Sequence, residues 1–129
     1  MHRRHDPTTI APTFSDYSHG VEAPAGARWL HVSGQVGVTP SGELAGDVAA
    51  QIEQAWSNVL AVLEAADMAP SDLVKVTAYL VGSEGIPAYR EIRDRMLGGA
   101  RSASTLILVA GLASPDWKVE IEAVAAKVG

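Results

Sequence analysis

The sequence predicts a single α+β domain in which two helices cover one face of a sheet of about four to six strands. Three observations support this fold class. The chain has 129 residues, of which 47% are apolar and 19% are charged, which is the balance of a globular domain with its own core. Its hydrophobic pattern changes between the two-residue period of strands and the longer period of helices. The segments follow the order β-α-β-α-β-β, without an internal repeat.

The first part of the chain is predicted to be irregular. Residues 1–16 hold prolines and hydroxyl residues without a hydrophobic period, so we expect an N-terminal arm before a domain of residues 17–129. An extra strand is possible at residues 17–22. Apolar and polar residues then alternate over residues 29–36, which predicts a strand, and the Pro and Gly of residues 39–43 predict a turn.

Two helices and three further strands follow. Asp47 has the side chain of a helix N-cap, and the helix is predicted to run to about Ala66 because apolar residues recur at helical spacing. A second helix is predicted over residues 86–97, with Pro87 tolerated in its first turn. The strands are predicted at residues 73–81, 105–110 and 118–126.

The strand at residues 105–110 is apolar on both faces. A sheet covered on one side only would expose half of these side chains to water, which is unfavourable. We therefore expect another copy of the chain to cover the open face. The alternative is that this strand is central in the sheet and is apolar on both sides for that reason.

Composition excludes several classes of protein. The chain has no cysteine, which rules out disulfides, thiolate metal sites and cysteine nucleophiles. A net charge of −5 argues against a broad nucleic-acid-binding surface. No apolar run approaches the roughly 18 residues of a membrane helix. The N-terminal residues carry no apolar stretch of an export signal, so we expect a cytoplasmic protein without membrane partners.

Few residues indicate chemistry by themselves. The sequence has no phosphate-binding loop, no serine nucleophile elbow and no paired-histidine metal spacing, so we expect no metal site. Glu120 and Glu122 lie two positions apart on a predicted strand, which places both carboxylates on one face, about 7 Å apart. They form either a solvated strand face or an acid–base pair.

The order of several short motifs resembles the RidA (YjgF) family, also labelled endoribonuclease L-PSP. No single motif is specific, but the series covers residues 17 to about 126. The motifs are Tyr-Ser-His-Gly-Val at 17–21, Val-Ser-Gly-Gln-Val at 32–36, Asp-Val-Ala-Ala-Gln at 47–51, Asn-Val at 58–59, Asp-Leu-Val-Lys-Val-Thr at 72–77 and Val-Glu-Ile-Glu-Ala-Val-Ala at 119–125.

The resemblance implies a chorismate-mutase-like α+β fold and a homotrimer with three clefts between subunits. Well-studied members hydrolyse reactive enamines and imines to 2-oxo acids and ammonia, without a cofactor or a metal. In such members a glutamate of the last strand positions or deprotonates the attacking water, and by motif this residue is Glu120. Tyr17 and Gly34 would line the same cleft. Glu122 belongs to the motif but not to the catalytic role.

The sequence departs from the family at the arginine that grips the substrate carboxylate. Family deaminases have Pro-Ala-Arg-Ser/Thr directly before the apolar strand. Aligning Val109 and Ala110 without a gap places Ser104 at the arginine position and Leu106 where many deaminases have a cysteine. Matching Arg101 to the arginine instead needs a three-residue slip, which reverses the side-chain face.

Two cations remain as substitutes for the missing arginine. Arg90 falls where deaminases often have an asparagine, and Arg101 lies three residues upstream of Ser104. Losing a bidentate charge-assisted contact removes about 2–5 kcal/mol of binding. The resemblance therefore does not carry the deaminase activity over unchanged, and the chain fits a branch that lacks this arginine.

Three functions follow from these observations. The first is a hydrolase of the enamine/imine deaminase type, or a diverged relative acting on another small carbonyl or imine metabolite. The second is a trimeric protein that binds a small ligand without turnover, since Ser104 and Leu106 replace a charge and a thiol. The weakest is a ribonuclease or translation inhibitor, because the chain is acidic and only 5% aromatic.

Overall fold

The structure, a computed structural model, describes residues 1–129 and confirms the α+β class. Two helices lie on one face of a four-stranded mixed sheet, and a separate two-stranded ribbon lies near the N-terminus. The strands are β1 (Arg3–His5), β2 (Gly20–Glu22), β3 (Arg28–Val36), β4 (Leu73–Val81), β5 (Ala103–Val109) and β6 (Val119–Lys127), and the helices are α1 (Val48–Ala65) and α2 (Ile86–Leu97).

The sheet has the strand order β3-β6-β4-β5. Strand β6 lies between β3 and β4 and is antiparallel to both, whereas β5 is parallel to β4 and forms one edge. Because β5 is an edge strand, the alternative that it is central is wrong. Ile107 is 39% exposed and Leu108 is 49% exposed on this edge.

Helix α1 begins and ends where the sequence predicts. The Asp47 side chain accepts a hydrogen bond of 2.9 Å from the Ala50 amide, as an N-cap residue does. Helix α2 follows Gly85, keeps a proline in its first turn, and ends at Gly98, whose φ of 58° lies in the left-handed region that glycine tolerates.

The core forms between the helices and the covered face of the sheet. Trp56 and Val59 of α1 and Tyr89 of α2 are fully buried, and the rings of Trp56 and Tyr89 lie 6.4 Å apart. Strand β6 contributes Val119 and Ile121, which are also fully buried. Alternate residues of each strand enter this core, so the residues between them point to the opposite face.

The N-terminal segment differs from the predicted irregular arm. Residues 3–5 form β1, which pairs antiparallel with β2, and β2 occupies only the last part of the extra strand expected at 17–22. Long-range contacts hold this ribbon: His2 Nε2 lies 2.8 Å from the Asp72 carbonyl, and Arg4 Nε donates to the Arg101 carbonyl. A local sequence pattern carries no signal of such contacts.

Neither helix is both long and apolar enough to cross a bilayer.

The N-cap gives a test of this architecture. Replacing Asp47 by alanine removes the acceptor for the Ala50 amide, so we expect the free energy of unfolding to fall by about 1 kcal/mol. Urea denaturation measures the change as a lower midpoint with an unchanged slope. Asp47→Asn retains an acceptor oxygen and is expected to keep most of the stability. An equal loss in both variants would contradict the capping role.

Candidate functional site

Strand β6 presents two carboxylates on the face of the sheet that no helix covers. Glu120 and Glu122 alternate with the buried residues Val119, Ile121 and Ala123. Because side chains of a strand alternate between faces, burial of those three residues forces both glutamates outward. The core of the domain thereby determines where the carboxylates stand.

The two carboxylates differ in their partners. The Tyr79 hydroxyl of neighbouring β4 donates a hydrogen bond to Glu122 Oε1. Glu120 accepts no side-chain hydrogen bond, although it lies beside Tyr79 in the sheet register. The hydrogen bond to Glu122 raises the pKa of Tyr79, and desolvation and then the negative charges of Glu122 and Glu120 raise it further. The Glu122 carboxylate thus has a hydrogen-bond donor, whereas no side chain donates to the Glu120 carboxylate.

Gly34 lies directly against the Glu120 side chain. The pairing of β3 with β6 is irregular between Val32 and Gln35, and Gly34 lies within this bulge. A Cβ added to Gly34 would overlap Glu120 Oε2. Only glycine leaves room for the carboxylate in this position. The structure therefore brings together Glu120 and Gly34, two of the residues that the motifs indicated.

A second group of residues forms a cleft of about 300 Å³ between β5, α2 and the N-terminal segment. Ser104 and Leu106 lie two positions apart on β5, so their side chains share a face and point towards α2. From α2, residues at helical spacing complete the opposite wall. The lining residues are Phe14, Ser15, Tyr17, Ile86, Arg90, Arg93, Ser104, Leu106 and Leu108.

Four of the predicted site residues meet in this cleft: Tyr17, Arg90, Ser104 and Leu106. Arg101 does not line it. Its Nη2 donates a hydrogen bond of 2.8 Å to the Tyr17 carbonyl, and its Nε lies 3.3 Å from Asp16 Oδ1. The Arg101 side chain therefore fixes the N-terminal segment against the start of β5. Of the two cations considered as substitutes, only Arg90 faces the cleft.

The glutamate and the cleft are separated within one chain. Tyr79 is the register partner of both Glu120 on β6 and Ile107 on β5, so these three residues share the open face. Ser104 and Leu106 point to the other side of β5, towards α2. One copy of the chain therefore keeps two groups of candidate residues apart, Glu120 with Gly34 and the cleft with Tyr17, which we call the two half-sites.

The sequence analysis missed Arg93 and Phe14 as lining residues. Arg93 repeats with the apolar residues of α2, a spacing that indicates a buried face and gives no sign of a ligand contact. Phe14 lies in the segment expected to be irregular and is one of the most exposed apolar residues of the chain. The available signal for Phe14 was a bulky apolar residue three positions before Tyr17.

One histidine contacts a residue of the cleft, since the rings of His19 and Tyr17 lie 6.4 Å apart, edge to face. His5 pairs with Glu22 at 2.8 Å, and His19 Nε2 lies 2.8 Å from the Ala11 carbonyl. No three histidine, aspartate or glutamate side chains converge as metal ligands would. The chemistry of the two half-sites is therefore that of carboxylate, hydroxyl and guanidinium groups.

Comparison with known proteins shows which family the chain belongs to. A family model described as Endoribonuclease L-PSP matches residues 8–127, nearly the whole chain. The chain belongs to this family, RidA/YjgF. The resemblance drawn from the motif series is thereby confirmed, and the two-helix fold over a mixed sheet is the RidA fold.

Individual RidA relatives match over almost their full length. The 2-iminobutanoate/2-iminopropanoate deaminase of Escherichia coli is 32% identical over 125 residues, which cover 94% of this chain and 91% of the relative. The crystal structure of the Rid family protein YyfB from Yersinia pestis, a protein of unknown function, is 34% identical, with a TM-score of 0.89 and 98% of each chain covered. Escherichia coli TdcF, solved with bound serine, is 28% identical, with a TM-score of 0.73 and coverage of 95% and 93%.

The bond between Tyr79 and Glu122 gives a pH prediction. Because the pKa of Tyr79 is raised in the folded state, the stabilisation is fully present below the ordinary tyrosine pKa of about 10 and is lost as the pH rises through the folded value. We expect the free-energy difference between the wild type and Tyr79→Phe to be constant at neutral pH and to shrink in alkali.

Ultraviolet absorbance of tyrosinate provides the measurement. The difference between the wild-type and Tyr79→Phe titrations isolates one phenol, whose midpoint is expected above about 10. Glu122→Gln removes the carboxylate acceptor and is expected to lower that midpoint. A difference titration at or below the ordinary value would show that the phenol is not held by Glu122.

Proposed function

We propose that the chain is a RidA-like hydrolase that converts a small 2-imino acid and water to a 2-oxo acid and ammonia. The observation that carries the proposal is the Glu120 carboxylate, which lies on Gly34 without a hydrogen-bonding partner. The named deaminase activity of the Escherichia coli relative supports the same reaction class. The proposed reaction needs no metal or cofactor, since water is the nucleophile and a carboxylate is the base.

The chemistry proposed for Glu120 is general acid–base catalysis. The carboxylate takes a proton from water while the water oxygen bonds to the imine carbon, and the resulting carboxylic acid passes that proton to the nitrogen. In the carbinolamine so formed, the hydroxyl proton is transferred through Glu120 to the amino nitrogen, the C–N bond breaks, and ammonia leaves as the 2-oxo group forms. Glu120 returns to its ionised form, so the protein is unchanged after each turnover.

The proposed active site requires a second copy of the chain. Glu120 and Gly34 form one half-site and the Tyr17 cleft forms the other, and one chain keeps them apart. The open face of the sheet also exposes large apolar side chains, with Trp29 at 55% and Ile107 at 39%. Assembly as a homotrimer would cover this face and place the half-sites of neighbouring chains together.

Binding of an amino acid without turnover is the second candidate. Escherichia coli TdcF was solved with bound serine, a small molecule that carries a carboxylate. The cleft of this chain has two arginine side chains in its wall, and such cations favour an anionic ligand over a neutral one. This candidate shares the ligand chemistry of the hydrolase but gives Glu120 no role in a reaction.

The family description names an endoribonuclease, and the chain offers little support for that activity. Its net charge is −5, and although the cleft is lined by Arg90 and Arg93, it holds only two aromatic side chains, Phe14 and Tyr17. RNA recognition usually relies on both features.

The cellular site we propose is the cytoplasm, where imines of this kind would meet the protein directly.

The hydrolase is tested by comparing the two glutamates. Ammonia release from freshly generated 2-aminoacrylate is expected in the wild type and to fall roughly 10²–10⁴-fold in Glu120→Gln, because the base is lost. Glu122→Gln is the matched control, since its carboxylate bonds Tyr79, and it is expected to keep the rate within about tenfold.

Two results would contradict this assignment. A wild-type rate equal to that of buffer would exclude the deaminase, and serine binding in the same preparation would then favour the binding protein. Equal losses in Glu120→Gln and Glu122→Gln would show that the strand face, rather than the free carboxylate, supports the activity.

The proposed trimer is tested by sedimentation. The wild type is expected at about three times the protomer mass of 13.5 kDa. Ile107→Asp places a charge on the open face and is expected to yield protomers that release no ammonia. Val128→Asp changes an exposed apolar residue near the C-terminus, 56% exposed, and is expected to leave the trimer intact. A wild type that sediments as a protomer would exclude the shared site.

A further inference from the structure

The α2 wall of the cleft contains a buried cation that the proposed reaction has not used. The Arg93 side chain is only 6% exposed, yet it lines the cleft together with Arg90, one helical turn earlier. No acidic side chain is among the nine lining residues. The lining is therefore cationic, and Asp94, the ion-pair partner of Arg93, is outside it.

The internal contacts of Arg93 leave part of its guanidinium unused. Its Nε donates a hydrogen bond of 3.0 Å to Asp94 Oδ1. Its Nη2 lies 2.9 Å from the same oxygen but forms no hydrogen bond, and it is buried. Buried donors are nearly always satisfied, so an unsatisfied nitrogen in the wall of a cleft indicates a missing acceptor.

The surroundings of Arg93 hold its guanidinium in place. Its guanidinium carbon lies 5.8 Å from the ring centroid of Tyr89, within the range of a cation–π contact. Burial raises the pKa of Tyr89, so the ring stays neutral. Asp94 is 45% exposed and is shared with water, so it neutralises Arg93 only in part. Arg90 and Arg93 carry like charges one turn apart, an arrangement that an anion between them would relieve.

We propose that Arg93, assisted by Arg90, binds the carboxylate of a small 2-imino or 2-oxo acid in this cleft. The anion-binding cation then comes from α2, which faces β5 across the cleft, instead of from β5 itself. The small side chain of Ser104 leaves space on the β5 wall and offers a hydroxyl donor. The planar guanidinium presents paired donors that match the two carboxylate oxygens.

This inference rests on the proposed function for the identity of the ligand as a substrate or product. The binding of a carboxylate does not itself require turnover. A stable compound of the product class, 2-oxobutanoate, is therefore the probe, and its neutral amide, 2-oxobutanamide, is the matched ligand. Calorimetric titration of the full chain measures both affinities.

The leading variant is Arg93→Met, which keeps the length of the side chain and removes the charge. We expect it to weaken 2-oxobutanoate binding by at least about 30-fold and to leave 2-oxobutanamide binding within about threefold. Arg95→Met is the control on the same helix, because Arg95 pairs with Glu53 outside the cleft. It is expected to bind both compounds as the wild type does.

A second variant tests the proposal if Arg93→Met does not fold. Asp94→Asn removes the carboxylate that competes for the Arg93 guanidinium and leaves that guanidinium in place. Tighter binding of 2-oxobutanoate, by roughly three- to tenfold, is expected. A purely structural ion pair would instead lower the melting temperature without changing the affinity.

The outcomes separate this inference from the proposed reaction. Loss of carboxylate binding in Arg93→Met supports the inference even if the wild type releases no ammonia. Wild-type affinity in Arg93→Met, or a wild type that binds the amide as tightly as the acid, would overturn it even in an active enzyme. Equal weakening by Arg95→Met would show a general charge effect and would also overturn it.

Discussion

The two-residue period of β6 is the constraint on which both the core and the placement of Glu120 depend. Val119, Ile121 and Ala123 enter the core, and the same alternation sends Glu120 and Glu122 to the open face. A slip of one residue would bury both carboxylates without partners, at a cost of several kcal/mol each. Because β6 pairs with strands on both sides, such a slip would also break two ladders.

This register explains why Glu120 and Glu122, with the same side chain, are not equivalent. Tyr79 of β4 bonds Glu122, whereas the bulge in β3 places Gly34 against Glu120. The Glu122 carboxylate accepts a hydrogen bond from a hydroxyl, and the Glu120 carboxylate lies against the backbone of a glycine. The difference between them comes from the neighbouring strands and not from β6 itself.

Local signals in the sequence were sufficient for the two helices and for the four strands of the main sheet. The Asp47 cap and the apolar spacing after it defined α1, and the β-branched run of residues 73–81 defined β4. The pairing of β1 with β2 was not predictable, because it depends on contacts between segments far apart in the chain. The edge position of β5 likewise follows from strand order, which periodicity does not encode.

The site was predictable in its residue types and less so in its arrangement. The motif series indicated Glu120, Gly34 and Tyr17, but only tertiary contacts show that Arg101 bonds the Tyr17 carbonyl. Periodicity assigned Arg93 to the buried stripe of α2, which is correct. Whether a buried arginine serves packing or a ligand depends on its remaining hydrogen-bonding capacity, which no spacing rule reveals.

The proposed assembly would account for both the separation of the two half-sites and the exposed apolar face. A glutamate side chain is too short to pass from one face of a sheet to the other, and β4 lies between Glu120 and the strand that carries Ser104. No rotamer of Glu120 therefore reaches the cleft of its own chain. A second copy packed on the open face would cover Trp29 and Ile107, and it is also the available source of a glutamate for the cleft. The apolar surface that makes the isolated chain unfavourable in water is thus the surface that would complete its chemistry.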